Sequence, residues 1–220
     1  MSRLRCHISI SLDGFVAGPN QSEEEPIGEG GELLHDWVVS LAAWRETHHL
    51  EGGEENENSR IVAEARGNIG AAVMGRNMFG PIGGGPWDGE WNGWWGDDPP
   101  YHYPVYVVTH HPRDPVEMEG GTTFRFVTDG IESALEQARA AAGGKDVMLW
   151  GGGQIISEYL AAGLIDELEL HVVPIVLGAG SRLWDGLDGP MKYELVRVVE
   201  APGVTHLKYR TGLSDSRDPA

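Results

Sequence analysis

Cysteine, positive charge and long apolar segments are scarce in this chain. Cys6 is its only cysteine, so an intrachain disulfide is excluded and a reducing compartment is the simplest expectation. The 16 lysines and arginines are outnumbered by 34 aspartates and glutamates, which gives a net charge of −18. Because nucleic acids are held by basic surfaces, we expect no nucleic-acid partner. No segment approaches the roughly 18 apolar residues of a membrane-spanning helix, and no signal-peptide core is present, so we expect a cytoplasmic protein without a membrane partner.

Several signature motifs of nucleotide and metal chemistry are also missing. The first strand is not followed by the G-x-G-x-x-G turn of a Rossmann fold, and no P-loop with its Gly-Lys-Ser/Thr ending occurs. The nine histidines include no His-Glu-x-x-His pair, and one cysteine cannot supply the Cys-x-x-Cys of a zinc deaminase. We therefore expect no metal site.

The most informative segment that is present runs from Val147 to Leu160. Residues 147–150 form an apolar run typical of a buried strand, residues 151–153 are three glycines, and a helical pattern follows. Glycine lets the backbone turn with positive φ and approach a ligand closely, and a helix N-terminus directs free N–H groups at the same place. The segment therefore suits a bound phosphate, although a glycine triplet after a strand is also common as a plain turn.

A second segment upstream repeats this arrangement. Residues 71–74 are a short buried-strand pattern, followed by Gly75 and by Arg76, whose guanidinium can grip a phosphate with two donors. Two phosphate sites on one sheet indicate a dinucleotide. Since the net charge is negative, local groups must hold such an anion against the overall field.

The order of the elements predicts an α/β fold class. Strands alternate with helices in the first part of the chain and then cluster, which favours a mostly parallel sheet with antiparallel strands at one edge. The last two strands, at 193–200 and 204–210, are predicted to form a hairpin, and residues 32–48 to form one helix. Length and composition fit one domain over residues 1–212, with a disordered tail at 213–220.

Residues 80–104 are predicted to be a loop, yet they hold four tryptophans and two tyrosines. Such aromatic density indicates a loop that packs onto the body of the protein or onto a partner. Ser59 and Asp129 are predicted to cap the N-termini of two helices.

Five short motifs follow one another along residues 4–210. They are SISLDG at 9–14, VMGR at 73–76, VVT at 107–109, LWGGG at 149–153, and DEL at 166–168 continued by PIVLGAG at 174–180. With these motifs the chain resembles the dihydrofolate reductase-like family, and more narrowly the reductase domain of bacterial bifunctional riboflavin-biosynthesis deaminase-reductases, in stand-alone form. The resemblance implies a dihydrofolate reductase-like three-layer α/β/α fold with a central, mostly parallel mixed sheet and antiparallel C-terminal edge strands. It also implies NADPH bound across the strand ends, and a homodimer.

The resemblance further implies a set of cofactor-binding residues. Arg76 corresponds to the arginine that meets the adenosine-side phosphate, and the glycine turn would cradle the diphosphate. His110 lies where relatives contact the 2′-phosphate region, but a solvated turn before Pro112 is an open alternative. The whole set comprises Ala17, Gly75, Arg76, Thr109, His110, Gly151, Gly152, Gly153, Gln154 and Ile155.

Three residues are candidates on the substrate side. Asp36 falls near the acidic residue of dihydrofolate reductases, where a carboxylate in a partly apolar pocket would have a raised pKa and could pass on a proton. Alternatively, Asp36 occupies a first helical turn because anions are favoured there. Asp13 either shapes the Leu-Asp-Gly turn or contacts the substrate, and Trp37 either stacks on a flat heterocycle or packs in the core.

The resemblance and these residues together predict an NADPH-dependent reductase. Hydride would pass to a C=N or C=O of a small heterocyclic or ribosyl substrate, as in a 5-amino-6-(5-phosphoribosylamino)uracil reductase of riboflavin biosynthesis, or to a pterin. The cofactor would carry the chemistry, while the protein positions the reactants. Because a fold does not fix a function, a non-catalytic nucleotide-binding or oligomeric interaction protein is the alternative.

Overall fold

Buried strands, most of them followed by a helix or a tight turn, assemble into one large sheet. The computed structural model describes residues 2–87 and 91–211, so the predicted tail at 213–220 lies outside the described residues. The strands in these ranges are β1 Leu4–Ser11, β2 Phe15–Ala17, β3 Ile69–Gly75, β4 Pro104–Val108, β5 Val116–Glu117, β6 Thr123–Val127, β7 Asp146–Trp150, β8 Glu167–Val173, β9 Ser181–Arg182, β10 Glu194–Ala201 and β11 Val204–Arg210. The helices are α1 Asp36–Val39, α2 Ala42–Thr47, α3 Glu57–Arg66, α4 Arg76–Phe79, α5 Ile131–Ala141 and α6 Gly153–Ala161, with 3-10 turns at Gly31–Leu34 and Glu119–Gly121.

The central sheet has nine strands in the order β10-β11-β8-β1-β7-β3-β4-β6-β5. The strands from β8 to β6 in this order pair in parallel. At one edge β11 and β10 are antiparallel, and at the other edge so is β5. The predicted mixed sheet and its C-terminal hairpin are confirmed, whereas the short strand β5 and a separate two-stranded sheet of β2 and β9 were not predicted.

Both faces of the parallel part of this sheet are covered, as buried parallel strands require. Side chains alternate between the faces with a period of two, so Ala71 and Val73 of β3 pack with α5 and α6, whereas Ala72 and Met74 pack with aromatic residues on the other face. A further cluster around Trp37 covers β8 and β11. The result is a three-layer arrangement with the sheet in the middle. Among the described helices, none combines the length and the apolar character needed to cross a bilayer.

Residues 32–48 do not form the single helix that the spacing of their apolar residues predicted. The backbone at Leu41 is extended, with φ −74 and ψ 141, and separates α1 from α2. The backbone of Glu54, in a later segment, holds this break in place. Its carbonyl accepts from the N–H of Ala42 at 2.9 Å, and its N–H donates to the carbonyl of Ser40 at 2.9 Å. Leu34, Trp37 and Leu41 on the predicted inward face are nevertheless buried, whereas Leu33, which the periodicity placed on the same face, is 44% exposed.

Both predicted helix caps were wrong in position. Asn56, and not Ser59, is the N-cap of α3, and the Ser59 hydroxyl accepts from the Asn56 N–H at 3.1 Å in a capping box. Gly130, and not Asp129, precedes α5, with φ 94 and no side-chain cap. The first turn of α5 therefore begins without a side-chain acceptor.

The tryptophan-rich loop packs onto the protein body, which was one of its two predicted positions. Trp87 Nε1 donates to the carbonyl of His111 at 2.8 Å, and Trp91 Nε1 donates to the carbonyl of Phe79 at 2.9 Å. The Trp87 ring also meets the ring of Phe126 edge to face at 4.9 Å. These contacts hold the described parts of the loop against the end of the sheet where β3 and β6 lie.

Candidate functional site

A cleft of about 1220 Å³ opens at the carboxyl ends of the parallel strands. Its walls include Gly75 at the end of β3, Thr109 just after β4 and Gly151 just after β7. Because these strands are parallel neighbours, their ends meet at one edge of the sheet, which is the usual place for ligands in open α/β sheets. The fold thus brings together segments that are far apart in the sequence.

All ten residues that were predicted to bind the cofactor line this cleft. They are Ala17, Gly75, Arg76, Thr109, His110, Gly151, Gly152, Gly153, Gln154 and Ile155. Trp37 lines the cleft as well, whereas Asp13 and Asp36 are not among the lining residues. The structure therefore groups the predicted cofactor residues and separates two of the three predicted substrate residues from them. Contact with a cofactor stays a prediction.

The glycines of the cleft are required for two different reasons. Gly152 has φ 54 and ψ 138, in the positive-φ half of the map that side chains disfavour. Gly153 has no such φ, but a Cβ there would lie 2.6 Å from Ser181 Oγ and 2.9 Å from Val16 Cγ2. The triplet therefore turns the chain at one residue and lets α6 approach β2 and β9 at the next.

Two helices begin at the cleft without a side-chain cap. The first turn of α6 comprises Gly153, Gln154 and Ile155, all of which line the cleft, and α5 presents Gly130 and Ile131. First-turn N–H groups have no acceptor within their own helix, and the helix dipole makes this end positive. Both helix ends are therefore suited to bind an anion in the cleft.

The cleft has few acidic side chains, although the chain carries a net charge of −18. Arg66 and Arg76 line it, and among the described lining residues Glu158 is the only carboxylate. Arg76 is held firmly, since its Nη1 donates to the carbonyls of Gly80 and Pro81 and its guanidinium lies 3.7 Å from the centroid of the Trp87 ring. These contacts fix a positive charge at the wall of the cleft.

A family model described as the RibD C-terminal domain matches residues 3–207. The chain belongs to the RibD C-terminal domain family. A curated relative, the uncharacterized protein YyaP of Bacillus subtilis (strain 168), is 29% identical over 218 residues, which span 94% of each chain.

Solved structures show the same fold at low identity. A putative riboflavin biosynthesis protein from Shewanella sp. PV-4 aligns with a TM-score of 0.60 at 21% identity, covering 96% of this chain and 99% of that one. A deaminase/5-amino-6-(5-phosphoribosylamino)uracil reductase from Thermotoga maritima gives 0.55 at 14% identity, covering 96% and 57%. A dihydrofolate reductase from Enterococcus faecalis, complexed with NADP(H) and RAB-propyl, gives 0.50 at 13% identity, covering 95% and 96%. The dihydrofolate reductase-like fold is thereby confirmed.

In this RibD C-terminal domain, histidines line the cleft beside Trp37. His7 lies on β1 and His171 on the neighbouring β8, and both are buried cleft-lining residues. Trp37 Nε1 donates to Ser9 Oγ at 3.1 Å, and its ring centroid lies 4.9 Å from that of His171. Burial, supported by the charge of Arg5, lowers the pKa of His7 to about 3, and burial likewise lowers the pKa of His171, so both rings are neutral at pH 7.

Sequence reasoning missed these histidines. The available signal was the alternation of polar and apolar residues in β1 and β8, which puts His7 and His171 at the polar positions of two strands that are buried in the structure. Only the pairing of the strands shows that residues more than 160 positions apart share one wall.

Neither of the two predicted carboxylates, Asp13 and Asp36, lines the cleft. Asp36 is exposed in the first turn of α1, outside the cleft, so we do not propose it as the catalytic group. Asp13 accepts from Ser11 Oγ at 2.7 Å and from the N–H groups of Leu177 and Gly178 at 3.1 and 2.7 Å. It shapes the turn after β1, which was one of its two predicted roles, and ties this turn to the segment after β8.

We predict that Asp13→Asn lowers the free energy of unfolding at pH 7, because the ionised carboxylate is the acceptor of these three bonds. These hydrogen bonds lower the pKa of Asp13 from 3.8 to about 2, and the bond from Ser11 has the largest effect. A lowered folded-state pKa means that the contribution is complete above the unfolded value and is lost as the pH falls through about 2. Urea unfolding of the wild type and of Asp13→Asn is measured between pH 7 and 2. The difference between their free energies of unfolding should shrink below about pH 4. Asp36→Asn is the control, and a deficit that stays constant over the whole range would contradict the role of the ionised form.

Proposed function

We propose that this chain is an NADPH-dependent reductase. The observation that carries the proposal is the convergence, in one cleft, of the glycine turn after β7, the Gly75-Arg76 turn after β3 and the uncapped N-termini of α5 and α6. A phosphorylated dinucleotide has several separated anionic groups, and this cleft offers several separated positive groups to hold them.

The relatives support a reductase-like activity. Two of the structures with this fold are named reductases, and the one from Enterococcus faecalis is complexed with NADP(H). Another is named a putative riboflavin biosynthesis protein. Together with family membership, these names favour reduction by a nicotinamide cofactor over other chemistries of an α/β cleft.

The lining residues fit such a cofactor. The backbone N–H groups of Gly153, Gln154 and Ile155 would hold the diphosphate, and Arg76 the adenosine-side phosphate, with Ala17 beside the nicotinamide. Gly152 and Gly153 keep this turn free of side chains, so that a phosphate can approach the backbone closely. When bound, NADPH supplies the hydride.

The neutral wall at Trp37, His7 and His171 suits the other reactant. Trp37 presents a flat apolar surface and both histidines are uncharged, which matches a small heterocycle better than an anion. We propose that this wall binds the heterocycle whose C=N or C=O accepts the hydride. The protein's part is to orient the two reactants and to exclude water.

A second candidate is a nucleotide-binding protein of the same fold that does not catalyse reduction. It is favoured by one observation, namely that Asp36, the predicted proton-transferring carboxylate, is exposed and lies outside the cleft. Such a protein would bind NADPH by the same backbone groups and leave it unoxidised.

One experiment separates the two candidates. NADPH fluorescence is titrated with the purified protein, and NADPH oxidation is followed by absorbance with a panel of pyrimidines and pterins. The reductase proposal expects binding and oxidation with at least one compound. Binding without oxidation across the panel would favour the second candidate, and absence of binding would contradict both.

Arg76→Ala should weaken NADPH binding by about tenfold or more and NADH binding far less, because the guanidinium would meet a phosphate at the adenosine side. The measurement is the dissociation constant of each nucleotide by fluorescence titration. Equal losses for the two nucleotides would remove this role from Arg76.

Arg113→Ala is the matched control for that substitution. Arg113 also belongs to the aromatic cluster, with its guanidinium 5.1 Å from the centroid of the Trp87 ring and Nη1 donating to the carbonyl of Trp91 at 2.5 Å. It is not among the residues that line the cleft. If Arg113→Ala lost as much NADPH affinity as Arg76→Ala, loosening of the tryptophan-rich loop would be sufficient to explain both losses, without a contact between Arg76 and the cofactor.

We also propose that the chain pairs with a second copy of itself. Strand β10 has a neighbour on one side only in the described sheet, and it exposes Leu195, Val196 and Val198. An edge strand with exposed apolar side chains is a surface that proteins normally cover. A symmetric dimer would cover it with the same strand of the partner.

Val198→Lys should therefore shift the molecular mass in solution from two chains to one, because two copies of this charge would face each other across the interface. Size-exclusion chromatography with light scattering measures that mass. Val176→Lys, at an exposed position in the segment after β8, is the control and should leave the mass unchanged. A wild-type protein with the mass of one chain would contradict the proposal.

A further inference from the structure

A chain of hydrogen bonds runs from Pro202 to the wall of the cleft. Asn58 Nδ2 donates to the carbonyl of Pro202 at 3.1 Å, and Asn58 Oδ1 lies 2.8 Å from His206 Nε2. His206 Nδ1 lies 2.7 Å from His171 Nδ1. Asn58 and His206 are each 1% exposed and His171 is 6% exposed, and His171 lines the cleft.

The bond from Asn58 to Pro202 fixes the position of each proton along this series of hydrogen bonds. A carbonyl only accepts, so the amide nitrogen of Asn58 faces Pro202 and its oxygen faces His206. That oxygen also only accepts, so His206 carries its proton on Nε2. Burial lowers the pKa of His206 to about 4, so the ring is neutral at pH 7 and its Nδ1 is an acceptor. His171 must then donate from Nδ1, and its own neutral ring has no proton left for Nε2.

A metal ion is the other arrangement to consider for these residues. Ligand atoms of Glu169, His171 and His206 lie within 4.8 Å of one another. Two nitrogens on a tetrahedral zinc ion, each at about 2.0–2.1 Å, would be about 3.3 Å apart, whereas these two are separated by 2.7 Å, a hydrogen-bond distance. Glu169 is also engaged, since Arg197 Nη2 lies 3.0 and 3.4 Å from its two oxygens. The geometry therefore favours a hydrogen bond over a shared ion.

The surroundings of His171 indicate what it would meet. His7, on the neighbouring strand, has both ring nitrogens buried and without a hydrogen-bond partner in the described structure, and its ring centroid lies 5.7 Å from that of His171. Both nitrogens of His7 are nevertheless inaccessible, and its Nδ1 lies 3.7 Å from Glu169 Oε2. Of these two histidines, His171 is therefore the one whose Nε2 would meet a ligand beside the flat ring of Trp37.

We propose that His171 is a substrate-contacting residue whose Nε2 accepts an N–H of the heterocycle bound in the cleft. Asn58 and His206 are positioning residues that hold His171 in this form. The identification of the ligand as a substrate rests on the proposed function, but the hydrogen bond itself does not. The feature that this acceptor requires of the substrate is an N–H on the ring.

The tautomers are measured by long-range ¹⁵N–¹H correlation spectra of the ¹⁵N-histidine-labelled protein at neutral pH, with His171→Gln and His206→Gln used to assign the signals. We expect the proton of His171 on Nδ1 and the proton of His206 on Nε2. In Asn58→Leu the acceptor for His206 is lost, so the signals of His171 should move toward a mixture of tautomers. A proton on Nε2 of His171 in the wild type would overturn the proposal. The same result is expected if both rings bind zinc through Nδ1.

The ligand is tested with uracil and with 1,3-dimethyluracil, which has no N–H. Uracil should shift the Nε2 resonance of His171, and 1,3-dimethyluracil should not. His171→Leu should weaken uracil binding by about tenfold, whereas His171→Gln, whose amide oxygen can accept, should recover part of the affinity. NADPH affinity should be unchanged in both variants, which separates this result from a failure of the cofactor site. Absence of uracil binding, or equal shifts with the two compounds, would refute the contact.

Discussion

Backbone N–H groups at the start of α6 are the feature on which the rest of the site depends. The chain has a net charge of −18, so a phosphorylated cofactor can be held only where local dipoles and a few arginines outweigh the overall field. The glycines at 151–153 are what bring this helix end to the sheet edge, since a side chain on Gly153 would collide with Ser181 and Val16. Packing of the fold and the proposed anion binding thus rely on the same small residues.

Much of this site was predictable because its signals are local. A buried strand, a glycine and a helix start are adjacent in sequence at both Gly75 and Gly151, so each candidate anion site could be predicted from one segment. The parallel sheet then only had to place the two segments side by side. The position of Arg76 at the cleft wall follows from the same adjacency, although its stacking on Trp87 does not.

The parts that sequence reasoning missed depend on contacts between distant segments. The helix expected at 32–48 breaks at Leu41 because the backbone of Glu54 pairs there, and no pattern within 32–48 shows that pairing. In this broken segment Trp37 packs against β8 and β11, whereas the adjacent Asp36 is exposed. The histidine wall is created by strand register, which sets Ser9 beside His171 and His171 beside His206.

The lining of the cleft therefore combines two chemically different sets of groups, namely helix N-termini with arginines, and the neutral rings of Trp37, His7 and His171. A nicotinamide reductase needs such a division, because it must hold a polyanion and an uncharged acceptor side by side. A crystal structure of the protein grown with NADPH would decide the matter. We expect diphosphate oxygens within hydrogen-bonding distance of the backbone nitrogens of Gly153, Gln154 and Ile155. A diphosphate bound elsewhere, with the first turn of α6 facing no phosphate, would contradict the account.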